Sequence, residues 1–412
     1  MIKKSSLLSL SVAFISASPS YAEVKPPSLK ISGYTVVSAS SVSQKNKTSG
    51  KGGGIPAIGI GASDLYFTAQ GQSEGGFTYK YRMNINAVPF ANDTAIDRNF
   101  IEFGSDCMGT LQVGGVSGVD DTMTKGGFSL IGGAAGIDGT FGGAYNMSSG
   151  VNSGVHLQGY TKRANKISYA TPTFSGFQGG ISFTPNTSNL GRKRNYDSPN
   201  VVNANDSGIY ANKDYAAFGL ANTAASLTYS NTWQDWSLQL SAIGITERSR
   251  LKAQKQHVKV RNLKTWQVSS TVGYKDFRVA TSYFDNGKSR LPYDANQVLD
   301  TTKNLTTTDL NEGNAGKAWD VAGQYTMGAY QFAVGYFETL RKINAQSKAR
   351  SQILTLTADF NALPGLKFFA EADFAKSGNT QAAIAQSNAM KADSGCGRNS
   401  GNIFVVGTKV SF

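Results

Sequence analysis

Cysteine and histidine are scarce in this chain of 412 residues, which contains two of each. No Cys-x-x-Cys, His-Glu-x-x-His or Gly-x-x-x-x-Gly-Lys-Ser/Thr pattern is present. The common zinc, thiol-redox and P-loop proteins depend on those patterns, so we expect no metal site, no cofactor and no catalytic residues of these classes. His156 and His257 lie beside no recognisable nucleophile motif, which argues against a serine-triad enzyme.

Charged residues are also sparse. They make up 16% of the chain, against roughly 25% in an average soluble domain. The charge that is present is mainly basic, with 40 Lys and Arg against 27 Asp and Glu and a formal net charge of +13. A wide uncharged band on the protein surface would account for the low total.

The first 22 residues have the organisation of a secretory signal peptide. Lys3 and Lys4 precede a short apolar core from Ser5 to Ser16, and Ser20-Tyr21-Ala22 places small residues at the cleavage positions. A membrane anchor is the alternative, but a helix needs about 20 apolar residues to cross a bilayer. We predict cleavage after Ala22, which would lower the net charge by two, to +11, and export of the mature chain.

Long hydrophobic runs are absent beyond that segment, and regular alternation takes their place. From Phe77 to Ala87, every second residue is apolar and the residues between are polar or charged. The same period of two recurs from Leu366 to Ala375 and in the C-terminal segment that ends at Phe412. This period is typical of β-strands with one apolar face.

A soluble β-sandwich would also alternate, so the connections must decide between the two architectures. Seven short turns alternate along the chain with eight long polar segments. The first of these turns is Gly71 to Gly75 and the last is Asn361 to Gly365. Sixteen strands result, with both termini on the short-turn side. Bacterial transmembrane barrels have an even strand number, short turns at one end and long loops at the other. We predict an all-β fold, a 16-stranded antiparallel transmembrane β-barrel that spans residues 23–412 as one domain.

Several segments resemble the general porins of the Gram-negative outer membrane. They are RANKISYATPTFSGFQGGISF from Arg163, FIEFGSDCMGTLQVGG from Phe100, the first strand LKISGYTVVSAS from Leu29, and the terminal GTKVSF. The resemblance implies a homotrimer of water-filled channels for passive diffusion of small hydrophilic solutes and ions, without enzymatic activity. It also implies contact with lipopolysaccharide and outer-membrane lipid. The outer-membrane barrel assembly machinery would read a C-terminal signal at Phe404, Val406, Val410 and Phe412.

The resemblance further implies that the third long loop, about residues 116–165, folds inward and narrows the pore. Asp120, Asp121 and Asp138 are the acidic candidates on that loop, although the Pro-Glu-Phe-Gly motif of many relatives is absent. Charged rings set selectivity in pores, so basic residues are expected on the facing wall. Strand parity selects Lys80, Arg82, Arg98 and Lys166, with Arg278 and Lys409 as further candidates. The alternative is that these are ordinary solvated charges of the lumen.

Two other functions stay open at this point. A barrel whose large loops close the pore would act as an adhesin or surface antigen, because long loops often carry binding functions. The second alternative is a barrel enzyme, but this sequence contains no recognisable nucleophile motif. Basic clusters such as Arg192, Lys193 and Arg194 fall on predicted outer loops of an exported chain, so we expect lipid phosphates and no nucleic acid as their partner.

Overall fold

A computed structural model describes residues 27–45, 57–87, 96–134, 136, 145, 161, 164–187, 215–253, 256–258, 260–291, 314–342, 348–379 and 398–412. The predicted signal peptide, residues 1–22, lies outside these residues. Within them, the structure has seventeen strands and two short helical segments. The strands are β1 Ser28–Gln44, β2 Ala57–Gln72, β3 Thr78–Asn86, β4 Ile96–Ser105, β5 Gly109–Gly115, β6 Asn165–Ala170, β7 Phe177–Asn186, β8 Tyr215–Trp233, β9 Trp236–Ala253, β10 Gln256–Val258, β11 Leu263–Tyr274, β12 Phe277–Asp285, β13 Lys317–Met327, β14 Tyr330–Lys342, β15 Lys348–Leu363, β16 Leu366–Asn379 and β17 Arg398–Ser411.

Sixteen of these strands close into one antiparallel barrel. Each pairs with its neighbours in chain order, and β1 pairs with both β2 and β17, so the sheet has no free edge. The short strand β10 pairs only with β9 and extends a loop, while β9 continues to β11. The predicted fold class and strand number are therefore confirmed. Among the described residues, no helix is long and apolar enough to cross a membrane.

The two ends of the barrel differ. Seven connections of two to six residues lie at one end together with the first and last strand termini, and we call this the turn end. The other eight connections lie at the opposite end, the loop end. The shortest of them, residues 343–347, joins two long strands, whereas the longest separates Gly115 from Asn165.

Several strands extend further toward the loop end than the sequence predicts. Strand β8 begins at Tyr215, although residues 185–223 read as loop, and its first residues pair with Arg248 to Ala253 of β9. Strand β2 likewise begins at Ala57 within a predicted loop. Beyond an apolar band, neither face of a strand needs apolar side chains, so the period of two disappears while backbone pairing continues.

The predicted faces agree with the register. On β3, Tyr81 is outward and exposed, while Lys80 and Arg82 face the lumen. On β16, Phe368 and Phe374 are outward, and Lys367, Glu371 and Asp373 are inward. The C-terminal strand directs Phe404, Val406, Val410 and Phe412 outward, with 51%, 57%, 48% and 70% of each residue exposed. The barrel exterior is thus an apolar surface.

Part of the lumen is filled by an apolar core. Inward residues of β8, β9, β11 to β17 and β1 pack with side chains of the loop that follows β5. The wall contributes Ile243, Ile245, Leu263, Phe284, Phe337 and Ile353, and the loop contributes Val119, Met123 and Tyr145. Among the described residues, β2 to β7 contribute no side chain to this core.

A buried ion pair ties a loop to the barrel at the loop end. Glu247 on β9 accepts hydrogen bonds from the guanidinium of Arg290, with Arg290 Nη2 2.7 Å from its Oε1 atom. Asn222 and Ser249 donate to the same carboxylate at 2.9 and 3.0 Å. A buried charge needs such partners to offset its lost hydration, so this carboxylate fixes the start of the β12–β13 connection.

The lipid-facing assignment of the exterior can be tested on β8. Leu227 is outward and 54% exposed, whereas its neighbour Thr228 faces the lumen. We expect Leu227→Arg to destabilise the folded barrel by roughly 2 to 4 kcal/mol in the apolar band, because a cation on the lipid face is costly. Thr228→Arg is the matched control and should change stability by less than about 1 kcal/mol. Urea unfolding in lipid vesicles measures both; equal losses would contradict the assignment.

Candidate pore constriction

The loop after β5, which we call the inserted loop, runs inside the barrel along its wall. Its first helical turn, α1 Val119–Thr122, contacts β6 to β9, and its second, η1 Gly127–Leu130, contacts β12 to β14. Gly133 and Ala134 then reach β15 and β16. The described part of the loop therefore follows more than half of the circumference and narrows the lumen from one side.

Carboxylates on the wall hold the inserted loop through its backbone. The Gly127 N–H donates to Asp320 Oδ1 at 2.6 Å, and the Gly133 N–H donates to Asp359 Oδ1 at 2.8 Å. Glu371 Oε2 accepts from Ala134 at 2.7 Å and from Gly136 at 3.2 Å. Each of these hydrogen bonds satisfies a loop N–H group that would otherwise be left without a partner inside the barrel. These acids on the wall therefore serve to position the loop.

The glycines of the inserted loop are required by this close approach. Gly133 has a φ of +62°, in the left-handed region that favours glycine, and a Cβ atom there would lie 2.5 Å from Glu371 Oε2. A Cβ atom at Gly132 would lie 2.3 Å from Asp359 Oδ2. Side chains at these positions would push the backbone away from the carboxylates, which explains the glycine-rich composition of the segment.

A buried ammonium closes the base of the inserted loop. Lys166 on β6 is 3% exposed, and its Nζ atom donates to the carbonyls of Val116, where the loop begins, and of Thr161, near its end. Asp120 is 5% exposed and lies near this ammonium. Burial raises the pKa of the Asp120 carboxyl above its usual range, although the Lys166 ammonium opposes that rise. Both side chains belong to the packed base of the loop.

The opposite wall carries basic and tyrosine side chains on adjacent strands. The Arg82 guanidinium on β3 lies 4.6 Å from the centroid of the Tyr66 ring, and Lys409 Nζ on β17 lies 4.5 Å from the centroid of the Tyr34 ring. Both tyrosine hydroxyls donate to Asp64 Oδ2, at 3.0 Å from Tyr34 and 3.2 Å from Tyr66. The Asp64 carboxylate, which already accepts hydrogen bonds from two tyrosine hydroxyls, thus lies between two cations.

Lys80 and Arg98 lie on the same wall with acidic partners. Lys80 Nζ is 2.6 Å from Glu102 Oε1, and Gln112 also donates to that carboxylate at 2.7 Å. Arg98 Nε is 3.5 Å from Asp97 Oδ2. Arg98 pairs across the strands with Asn84, next to Arg82, so the structure brings Lys80, Arg82 and Arg98 together on one inner surface.

The acidic candidates are distributed differently. Asp121 is half-buried in α1, Asp120 is buried behind it, and Asp138 lies outside the described residues. Their assignment to the constriction, like that of Lys166, stays a prediction. The sequence interpretation overlooked the loop-holding acids Asp320, Asp359 and Glu371. The alternation of β16 does place Glu371 inward, and this pattern could have identified it as a lumen-facing acid.

The closed barrel, its apolar exterior and its inserted loop define a membrane channel architecture. The chain belongs to the Gram-negative porin family, whose family model matches residues 8–380. It is accordingly an outer-membrane protein.

Curated relatives are uncharacterized proteins of Rickettsia. One from Rickettsia typhi is 24% identical over 258 residues, covering 55% of this chain and 54% of the relative, and one from Rickettsia bellii is 26% identical over 234 residues, covering 50% and 49%. The chain thus spans about half the length of the curated relatives it matches.

Solved structures with the same fold include several porins. OmpF of Salmonella typhi, in complex with daunomycin, has a TM-score of 0.59 at 12% identity, with 93% of this chain and 97% of that chain covered. The anion-selective porin from Comamonas acidovorans has a TM-score of 0.54 at 12% identity, covering 94% and 100%. OmpT of Vibrio cholerae, in its trimer form, has a TM-score of 0.54 at 12% identity, with the same coverage. At these identities the similarity establishes the fold.

The loop base predicts a specific effect of Lys166→Met. Losing the ammonium leaves two carbonyls unpaired, at a cost of roughly 1.5 to 3 kcal/mol for hydrogen bonds to a charged group. We expect larger and noisier single-channel conductance steps, because the inserted loop loses the contact that joins its two ends. Heat-modifiable migration in gels should show that the barrel still folds.

The control for this experiment is Lys80→Met, which removes a half-buried ammonium paired with Glu102 from the wall and leaves the loop base intact. We expect unchanged conductance noise in the control. If Lys166→Met instead alters only ion selectivity, with the noise of the wild type, then Lys166 lines the pore and the loop-base role is wrong.

Proposed function

We propose that this protein is a passive diffusion channel for small hydrophilic solutes and ions, with a preference for anions. The observation that carries the proposal is the wall opposite the inserted loop. Among the described residues, no carboxylate lies within ion-pair distance of Arg82 or Lys409, and both cations face the lumen. The acids nearest the inserted loop are instead occupied by its backbone.

Physical reasoning supports the anion preference. A cation held over a tyrosine ring keeps its outer N–H groups directed toward the solvent, where they can attract an anion. Both side chains face the lumen, so a permeating ion that follows this wall would pass these groups at short range. Rings of charge at such narrow points set selectivity in pores. We assign the basic side of the constriction to Arg82, Lys409, Lys80 and Arg98.

We propose that the acidic side of the constriction lies on the inserted loop. Asp121 is the described candidate with the greater exposure, and Asp138 is the further candidate. We place Asp120 and Lys166 behind the pore surface, where they support the loop. No step of the proposed function requires a bound cofactor or a chemical reaction.

We also propose a homotrimer. One neighbour in fold was solved in trimer form. In the loop-end half of β1 to β5, the outward side chains are aliphatic or small, whereas β11 to β14 carry outward aromatic pairs there, Trp266 with Tyr283 and Trp319 with Tyr336. Aromatic belts mark surfaces in contact with lipid interfaces. The half without them is the contact face between copies.

The remaining partners follow from the same placement. Export would use a signal peptide cleaved after Ala22. The barrel assembly machinery would recognise the outward aromatic and aliphatic side chains of β17, namely Phe404, Val406, Val410 and Phe412. The loop end would face the exterior of the cell, toward lipopolysaccharide, and the turn end the periplasm.

Planar bilayer recording tests the function. We expect conductance steps in groups of three, and a reversal potential under a KCl gradient that shows anion preference. Arg82→Gln with Lys409→Gln should shift that potential toward cation preference, since two unpaired charges leave the wall. Lys275→Gln, at an exposed turn, is the control and should leave the potential unchanged. Cation preference in the wild type would contradict the assignment.

The alternative function has its own outcome. A barrel closed by its loops and acting as an adhesin or surface antigen would give no conductance steps from protein that is folded and heat-modifiable. That result would replace the channel with the adhesin.

A further inference from the structure

Four side chains form a continuous row across the inner wall, one from each of the neighbouring strands β17, β1, β2 and β3. Lys409 lies over the Tyr34 ring and Arg82 over the Tyr66 ring, and the two ring centroids are 6.3 Å apart. Each step of the row crosses to the next strand and moves two residues toward the turn end. Such diagonal neighbours are within reach of aromatic and long side chains, so the register of the barrel creates this row.

Asp64 lies beside the row and has one carboxylate oxygen in use. Its Oδ2 atom accepts hydrogen bonds from the Tyr34 hydroxyl at 3.0 Å and the Tyr66 hydroxyl at 3.2 Å. Within the part of the chain that the structure describes, its Oδ1 atom accepts no hydrogen bond, and the residue is half-buried. Two phenols therefore fix the carboxylate in place, while the second oxygen is an acceptor that a solute in the lumen can use.

The Arg82 guanidinium is also fixed from one side only. Its Nε atom donates to Asn84 Oδ1 at 3.1 Å, and Asn84 is buried. The Nη1 and Nη2 atoms of Arg82 donate to no residue that the structure describes. Arg98 pairs across the strands with Asn84, so a second guanidinium adds positive charge at this end of the row. The two Nη atoms form the planar donor fork that matches a carboxylate.

The neighbouring acid Glu102 differs from Asp64. Its Oε1 atom lies 2.6 Å from Lys80 Nζ, and its Oε2 atom accepts from Gln112 at 2.7 Å. Both oxygens of Glu102 are therefore occupied by side chains of the wall. On this wall the row places an acceptor and a donor fork, neither satisfied by the described residues, on neighbouring strands.

We propose that Arg82 and Asp64 form a binding subsite for zwitterionic solutes, of which free amino acids are the simplest. The solute carboxylate binds the Nη atoms of Arg82, and the solute ammonium donates to Asp64 Oδ1. A simple anion at this place would face the Asp64 carboxylate, and a simple cation would face the guanidinium groups. A solute that carries both charges on one carbon atom satisfies both partners, and such complementarity of charge gives specificity.

The inference rests on the proposed diffusion channel and names a class of solute for it. It also differs from general attraction of anions in what it predicts for Asp64. If the wall only attracted anions, removing the Asp64 charge would tighten the binding of every solute with a carboxylate. If Asp64 binds the ammonium, the same change tightens or preserves the binding of a simple anion and weakens the binding of an amino acid.

Saturation-transfer NMR titration of the folded full chain in detergent, at neutral pH, tests the subsite. The probes are L-alanine and propionate, which has the same carbon skeleton without the ammonium. We expect the wild type to bind L-alanine about tenfold more tightly than propionate, a difference of about 1.4 kcal/mol. Asp64→Asn keeps an oxygen for a tyrosine hydroxyl and should remove that difference, whereas Arg82→Gln should weaken the binding of both solutes.

Glu102→Gln is the matched control, because it removes one carboxylate from the same wall at a position where both oxygens are already occupied. It should bind L-alanine as the wild type does. Heat-modifiable migration in gels checks that each variant is folded. The comparison of the two solutes with the wild type needs no variant and tests the proposal even where a variant does not fold.

Three results would overturn the proposal. The wild type could bind propionate as tightly as L-alanine, Asp64→Asn could leave the affinity for L-alanine unchanged, or Glu102→Gln could lose as much of that affinity as Asp64→Asn. Binding in detergent does not require ion flow, so planar bilayer recordings of the same samples without added solute separate these outcomes from a failure of the channel function.

Discussion

The structure depends on the closure of its sheet. A backbone N–H or C=O group without a hydrogen-bond partner is costly in lipid, so a sheet can span a membrane only without edges. The pairing of β1 with β17 over eleven residue pairs meets that requirement. Closure also fixes the faces: each strand must present one side to lipid and one to the lumen. The apolar exterior, the polar wall and the inserted loop are arranged around this constraint.

The lumen combines an apolar core and a wall of charged side chains. Apolar wall residues and the inserted loop form a core that resembles a protein interior, and wall carboxylates bind the loop backbone. On β3 and β17, half-buried cations lie over tyrosine rings. Charged residues of the wall therefore have two uses: acids position the loop, and basic residues face the lumen. Lys166 is the exception, because it is buried at the loop base.

Much of the fold could be predicted from the sequence, and less of the site. The faces of β3, β16 and β17 follow directly from a period of two, and turn spacing gives sixteen strands. The extensions of β8 and β2 escaped prediction because alternation ends where the apolar band ends. Lys166 has the inward parity of a pore residue, and parity cannot show that a loop covers it. Asp120 is an acid on the inserted loop, as a pore residue would be, but it is buried in the packing of that loop, which the sequence cannot show.

The strand number, the two faces of each strand and the difference between the barrel ends follow from the amino-acid pattern alone, because these are local properties that recur every second residue or every hairpin. Long-range contacts select the acids that hold the inserted loop and the cations that face the lumen. Glu371 and Ala134 are 237 residues apart, and Asp320 and Gly127 are 193 apart. No periodic pattern links such positions. They meet because barrel closure brings distant strands around one lumen, which the inserted loop enters.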